Sequence, residues 1–405
     1  MVSELVVRAG TVFTAGPESV LRDAWVRVED GHIAEVTSSE PRASSTATRV
    51  DAPGGSLLPG LIDCHVHFAL SGGPDWLTEV RQPYALACWR AAEFARATLR
   101  AGFTSVRTLG GRDGMDTALR DAQASGLVEA PRIVSANLAI CMTGGHGSWI
   151  GREADGPDEI RKAVREQLKA GADCIKLIAT GGVMTPGVEV GSQQLSEDEL
   201  RAGVEEAHKA GRKVASHAHA TSGIRAAVLA GVDSIEHGSF MTDEVLELMK
   251  ERGTFLSMTL ASARGIANAP PDTVPDWARE KAQRAAEAMF QSFRRAHEIG
   301  VRLVLGTDAG TPYNVHGSNA SELALMVQHG LPPVEALRAS TINGAELLGL
   351  QDLVGSLEVG KAADMVVCEG DVLADVTRLC NPSTLWLVVQ TGKIVHRNAT
   401  VQEVH

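Results

Sequence analysis

Two histidines one residue apart carry the first chemical signal in this chain: His65 and His67, in the run Asp63-Cys64-His65-Val66-His67. On a β-strand, residues two apart point to the same side, so the two imidazoles aim at one point. Neutral imidazoles placed this way form half of a zinc shell. Three more strand-like runs end on potential ligands: Lys213 to His217, Asp233 to His237 and Arg302 to Asp308. Lys176 is different in kind, because it sets a charge inside the apolar run Cys174 to Ile178. Burying an ammonium is costly unless it is paired or modified. It can pair with a carboxylate such as Asp173, or react with carbon dioxide to give a carbamate whose two oxygens bridge two cations. The company of the histidines favours the carbamate.

These residues need a frame that brings distant segments together. Short β-branched runs alternate with Ala/Glu/Arg-rich amphipathic stretches: 57–64, 103–109, 132–136, 173–179, 213–217, 233–237, 254–258 and 302–308. Helices are expected between them, at 84–101, 159–170, 200–210, 224–230, 243–251 and 275–298. Ser196 with Glu199 spells a capping box, and Gly102, Gly171, Gly211, Gly231, Gly253 and Gly300 are candidate C-terminal stops. Eight β/α alternations without a GxGxxG turn predict an α/β fold, a (β/α)8 TIM barrel spanning residues 57–355. The candidate ligands then fall at the C-terminal ends of its strands, where barrel active sites sit. Residues 1–56 and 356–405 read as short alternating strands, too few at either end for a core. They are expected to form one small β-sandwich domain from both termini.

The remaining features exclude rather than select. Net charge is −12 and no block of Lys/Arg stands out, which argues against nucleic-acid or anionic-membrane partners. No run reaches the length of a membrane span or a signal-peptide core, so a soluble, cytoplasmic enzyme is expected. The six cysteines contain no CxxC pair and read as reduced thiols. His146 lies in the glycine-rich run Thr143-Gly144-Gly145-His146-Gly147, flanked by Met142 and Trp149 as candidate pocket residues. The polar segment 184–194 is expected over the mouth, and 261–276 as a lid or surface excursion. His208 and His297 are expected on the solvated faces of amphipathic helices, and the sequence pattern around His32, His329, His396 and His405 suggests no ligand role. His316 is near enough in sequence to Asp308 to reach a substrate, and Glu236 is expected to point away from the ligands by strand alternation.

With these motifs, the chain resembles the amidohydrolase superfamily over nearly its whole length. The resemblance rests on Pro59-Gly60-Leu61-Ile62-Asp63-Cys64-His65-Val66-His67, the Lys176 strand, His217, Ile235-Glu236-His237-Gly238, Gly306-Thr307-Asp308 and the run Gly355 to Asp364. The runs around His146 and Thr180-Gly181-Gly182-Val183 are similar to the imidazolonepropionase-related branch, with its Xaa-Pro dipeptidases and arginine/lysine carboxypeptidases. The resemblance implies two divalent ions, most simply zinc. His65, His67 and Asp308 would hold one, His217 and His237 the other, and carboxylated Lys176 would bridge both. It implies a bridging hydroxide that hydrolyses an amide of a dipeptide or N-acyl amino acid, with Asp308 moving the proton, His146 contacting the small-molecule substrate, and a homo-oligomeric enzyme. His219 stands where many dipeptidase-like members carry a tyrosine, and is expected to touch substrate. The competing expectations are a mononuclear deaminase or cyclic-amide hydrolase, a carbamate, ester or urea hydrolase, and a scaffold without catalysis. The first lacks support in His217-Ala218-His219-Ala220, which has no His-x-x-Glu.

Overall fold

A computed structural model of the chain describes residues 4–398. Residues 1–3 and 399–405 of the expected terminal domain, His405 among them, lie outside the described residues. The strands are β1 (Glu4–Phe13), β2 (Val20–Glu29), β3 (His32–Thr37), β4 (Thr48–Pro59), β5 (Leu61–Val66), β6 (Phe103–Thr108) and β7 (Arg132–Ser135). They continue with β8 (Ala139–Cys141), β9 (Gly151–Glu153), β10 (Cys174–Ile178), β11 (Lys213–Ala220) and β12 (Ser234–Phe240). The last are β13 (Phe255–Ser257), β14 (Leu303–Val304), β15 (Met365–Glu369), β16 (Leu385–Gln390) and β17 (Lys393–Arg397). The chain divides into two compact units: Met1–Asp63 with Arg96–Ser105 and Gly317–His405, and Cys64–Ala95 with Val106–His316.

In the first unit, strands from both ends of the chain hydrogen-bond as one sheet in the order β17-β16-β15-β4-β1-β2-β3. Antiparallel β4 and β15 join the two ends, in register from Met365 opposite Pro59 to Glu369 opposite Gly55. Alternation sends one side of each strand inward, so Ala24, Val26 and Val28 of β2 share a core with Leu57, Val367 and Leu387. Neither end supplies that core alone.

The second unit is α/β. Parallel strands follow the order β14-β13-β12-β11-β10-β8-β9, and β5-β6-β7 form a separate sheet. Main-chain bonds continue from one sheet to the other, from Asp173 N to Ser135 O (2.7 Å) and from Cys64 N to Leu305 O (2.8 Å). The helices expected from the amphipathic stretches are present at Tyr84–Arg100, Pro157–Lys169, Glu197–Lys209, Thr221–Ala230, Asp243–Arg252 and Asp276–Ile299. Ser196 and Glu199 form the reciprocal capping box, and Gly231, Gly253 and Gly300 end their helices in the left-handed conformation.

Two segments differ from expectation. The loop around His146 carries β8, a short 3-10 turn Ser148–Ile150 and β9; three-residue strands leave almost no periodic signal. Of the segment expected as a lid or surface excursion, Leu260–Ala267 form a helix whose Ser262, Ala263 and Ile266 line the site, while 268–276 are mostly exposed and outside the lining. Among the described residues, no helix is long and apolar enough to cross a membrane. All six cysteines are thiols.

Candidate metal centre

His65 and His67 project from the end of β5 as the two-residue spacing requires. Their Nε2 atoms lie 3.2 Å apart, and each faces Asp308 Oδ1, at 3.4 and 3.1 Å. Asp308 follows β14 in left-handed backbone (φ 60°), with its N–H donating to His65 O at 2.7 Å. Gly306 makes this approach feasible, since a Cβ there would stand 2.1 Å from Ser257 Oγ and 2.9 Å from His65 Cβ.

The other imidazoles join the same cluster. His237 lies 5.2 Å from His65 and 4.6 Å from His217 between ring centroids. His219 stacks on His237 at 4.8 Å and 12°. His146 approaches His217 to 4.3 Å. Two groups could each hold a metal ion, because their ligand atoms lie within 4.8 Å of one another: His65, His67 and Asp308, and His217, His219 and His237. His219 therefore sits among potential ligands, where sequence reading had made it a substrate contact only.

Lys176 lines the same cavity and is 2% exposed. Among the described residues, its Nζ has no hydrogen-bond partner. The alternative partner, Asp173, is instead engaged by Arg120 at 2.7 Å and by Ser135 N. Burial pulls the lysine down to about 8, against the opposing pull of Glu236. A fully buried, unpartnered amine beside two histidine clusters is what a carbamate bridge would resolve, so the residues present fit a pair of divalent cations.

Each imidazole is oriented from behind, which fixes the nitrogen left for a ligand. His65 Nδ1 meets Glu236 Oε2 at 3.0 Å, and His67 Nδ1 meets Gly110 O at 2.8 Å. His237 Nδ1 contacts Thr259 Oγ1, and His219 Nδ1 contacts Ser239 Oγ, both at 2.8 Å. His217 uses Nε2 on Gly181 O at 3.2 Å, leaving Nδ1. His146 Nδ1 meets Thr185 Oγ1 at 2.7 Å, and Gly182 leaves room for its ring, since a Cβ there would lie 2.4 Å away. Thr185 is held in turn: the buried Lys281 donates to Thr185 O at 2.9 Å and also to Val188 O.

Glu236 corrects the expectation from alternation. In parallel register it sits beside His217, and its carboxylate meets the back of His65 instead of pointing away from the ligands. His237 should then face outward, but its left-handed backbone (φ 75°), followed by Gly238 at φ 57°, turns the ring back inside. Such a non-glycine conformation costs roughly 1–3 kcal/mol and recurs at functional sites. Glu236 Oε1 also accepts from Arg107 Nη2 at 2.8 Å and from Ser234 Oγ at 2.6 Å. Arg107, itself buried, donates to Cys64 O at 2.7 Å. Sequence reading missed it, although it interrupts β6 with a charge just as Lys176 interrupts β10.

Electrostatics keep most of the imidazoles neutral. Burial lowers His65 and His219 to about 4 and, helped by His219, His146 to about 3. His67 is the exception: burial lowers it, but Asp308 outweighs this and raises it. Burial would raise Asp308, yet the neighbouring His65 and His67 bring it down to about 2, so it stays ionised. Glu236 is held well below the usual carboxylate range by Arg107 and His65 in spite of burial.

Of the remaining candidates, Trp149 lines the cavity, as does Met184, the first residue of the segment expected over the mouth, with Val183 just before it, whereas Met142 is absent from the lining. His316 is structural: it stacks on Phe94 at 5.0 Å and bonds Leu70 O. His208 bonds Asp233 at 2.9 Å, away from the site.

Residues 56–395 match the model of the amidohydrolase family. The chain is 31% identical to an ochratoxinase of Aspergillus niger, over 96% of this chain and 86% of that protein. It is 28% identical to an imidazolonepropionase of Micrococcus luteus, over 91% and 93%. Among solved structures, a Xaa-Pro dipeptidase with methionine bound in its active site superposes with a TM-score of 0.90 and 32% identity, over 97% of this chain and 99% of that one.

Proposed function

The chain belongs to the amidohydrolase family, and on that premise we propose that it is a binuclear metal-dependent hydrolase of an amide bond in a dipeptide or N-acyl amino acid. The observation that carries this reading is Lys176: an ammonium buried without a hydrogen-bond partner among the described residues, in a cavity lined by two groups of potential ligands. With its pKa near 8, about a tenth of this amine is free base at pH 7 and able to attack carbon dioxide. The product, a carbamate formed with loss of a proton, supplies the two oxygens an amine lacks. In this reading His65, His67 and Asp308 would hold one cation and His217 and His237 the other, with carboxylated Lys176 offering an oxygen to each, and a set of imidazoles and carboxylates would suit zinc. When bound, such a pair supplies Lewis acidity to a carbonyl and brings the pKa of water close to neutral.

The chain's own residues do the remaining work. Asp308, ionised and held by Ser262 Oγ at 2.9 Å, accepts the attacking water's proton and returns it to the leaving nitrogen. His146 stays neutral; when Thr185 donates to its Nδ1, the Nε2–H is left as a donor to the substrate oxygen. His219 offers Nε2 to substrate or cation. The apolar walls exclude water from the reacting bond. The same reading closes the eight major strands of residues 57–355 into a barrel, makes a sandwich domain of residues 1–56 and 356–405, and has the enzyme act as a homo-oligomer.

The test is hydrolysis by zinc-loaded protein of a panel of dipeptides, N-acyl amino acids, carbamates, ureas and lactones. Amide cleavage that is abolished by a chelator and restored by zinc is expected. Preferential deamination or lactone opening would replace the reading with another reaction of the family.

A further inference from the structure

The proposed reaction leaves open whether the substrate is a free dipeptide or a blocked amide, and the lining of the cavity separates the two. One side is apolar and aromatic: Trp76 and Trp149 lie 4.7 Å apart at 52° and pack with Leu70, Ile150, Met184 and Ile266. Trp149 also meets the edge of His146 at 5.3 Å, so this wall adjoins the group assigned to the scissile carbonyl. Among the described residues that line the cavity, the only carboxylate is Asp308 and the only ammonium or guanidinium is Lys176. Both belong to the metal machinery, and Asp308 is already shared by His65, His67 and Ser262.

A dipeptide brings an α-ammonium one residue from the bond to be cut. In this cavity it meets no counter-charge, and a buried cation without a partner is strongly disfavoured. The same holds for a lysine or arginine side chain. A carboxylate beyond the scissile nitrogen is treated differently, because with Ser239 on its Nδ1 the His219 imidazole keeps an Nε2–H that can donate to it. An aromatic acyl group gains what the ammonium loses, through burial against the two indoles. We propose, on the premise that the site hydrolyses amides, that its substrate is an N-acyl amino acid whose acyl part is apolar, aromatic and without an amino group. Selection between blocked and free substrates then comes from the missing counter-charge, and selection among blocked ones from Trp76 and Trp149.

The experiment compares phenylalanyl-leucine with 3-phenylpropanoyl-leucine, which differs only in lacking the ammonium, and with propanoyl-leucine, which lacks the ring. Zinc-loaded enzyme should cleave the phenylpropanoyl compound with a kcat/KM at least about 10-fold above either other substrate. Trp149→Leu should shrink its advantage over propanoyl-leucine while leaving the discrimination against the free dipeptide. Equal or faster cleavage of phenylalanyl-leucine would overturn the inference while leaving the hydrolase reading intact. Calorimetry with ketomethylene analogues of the same three compounds separates the two claims. If nothing is cleaved, the hydrolase reading falls, and at least about 10-fold tighter binding of the phenylpropanoyl analogue still supports this inference; equal or weaker binding overturns it.

Discussion

Glu236→Gln tests the layer beneath the proposed metal ligands. The parent carboxylate is fully buried and has two duties: Oε1 neutralises Arg107 at 2.8 Å, and Oε2 orients His65 at 3.0 Å. Glutamine keeps the shape and can still accept from His65, but it leaves the Arg107 guanidinium, 2% exposed, without its counter-charge. Removing one member of a buried ion pair costs about 3–5 kcal/mol. Because Cys64 O and Ser234 Oγ still bind the guanidinium, about 3 kcal/mol is expected here. Weakening a carboxylate behind a metal-binding histidine lowers affinity by roughly 10–100-fold. Urea unfolding of the metal-free proteins reads the first effect, and competition with a zinc chelator the second. The combined variant Arg107→Met with Glu236→Gln removes the stranded charge, so its cost should fall short of the sum of the single changes by about 2 kcal/mol. A Glu236→Gln protein within about 0.5 kcal/mol of the parent, or strictly additive changes, would refute the reasoning.

Three other outcomes are expected. Lys176→Ala should cut activity at least about 100-fold and loosen metal binding, with short carboxylic acids restoring part of both. Lys176→Arg should be as harmful, since a guanidinium forms no carbamate; wild-type turnover or metal content in either variant would count against the bridge. The metal-free fold should lose stability as pH falls from 6.5 to 5, because His146, His219 and His316 have folded-state pKa values lowered to about 3 to 4. The unfolded chain takes up protons there that the folded chain refuses, with His67, whose pKa is raised, opposing in part. A urea midpoint that is flat or rises over that interval would contradict the burial of these rings. Lys281→Met should lower kcat on the order of 10-fold with zinc content unchanged, by releasing the segment through which Thr185 orients His146. An unaltered kcat would show that His146 needs no such support.

The residues that converge on the site were legible because spacing and type together constrain them. His65 and His67 needed only the two-residue period of a strand, and His217, His237 and Asp308 only a position at a strand end. Glu236 shows where that logic stops. The period predicts its side chain only if the backbone stays extended, and His237 leaves that region at φ 75°. Neither residue type announces the turn. Thr259, Ser239 and Thr185 were invisible for another reason, since a hydroxyl behind an imidazole has no characteristic spacing from it. Arg107 could have been found, because a charge inside an apolar strand had already singled out Lys176. In the fold, the long amphipathic helices were readable and the three-residue strands β8 and β9 were not.

The central claim is that this cavity works with two cations. Titrating metal-free protein with zinc in bicarbonate buffer, while following amide hydrolysis and bound zinc together, tests it most directly. Activity should rise until two equivalents are bound per chain. Full activity at one equivalent, with no gain from the second, would contradict the binuclear account.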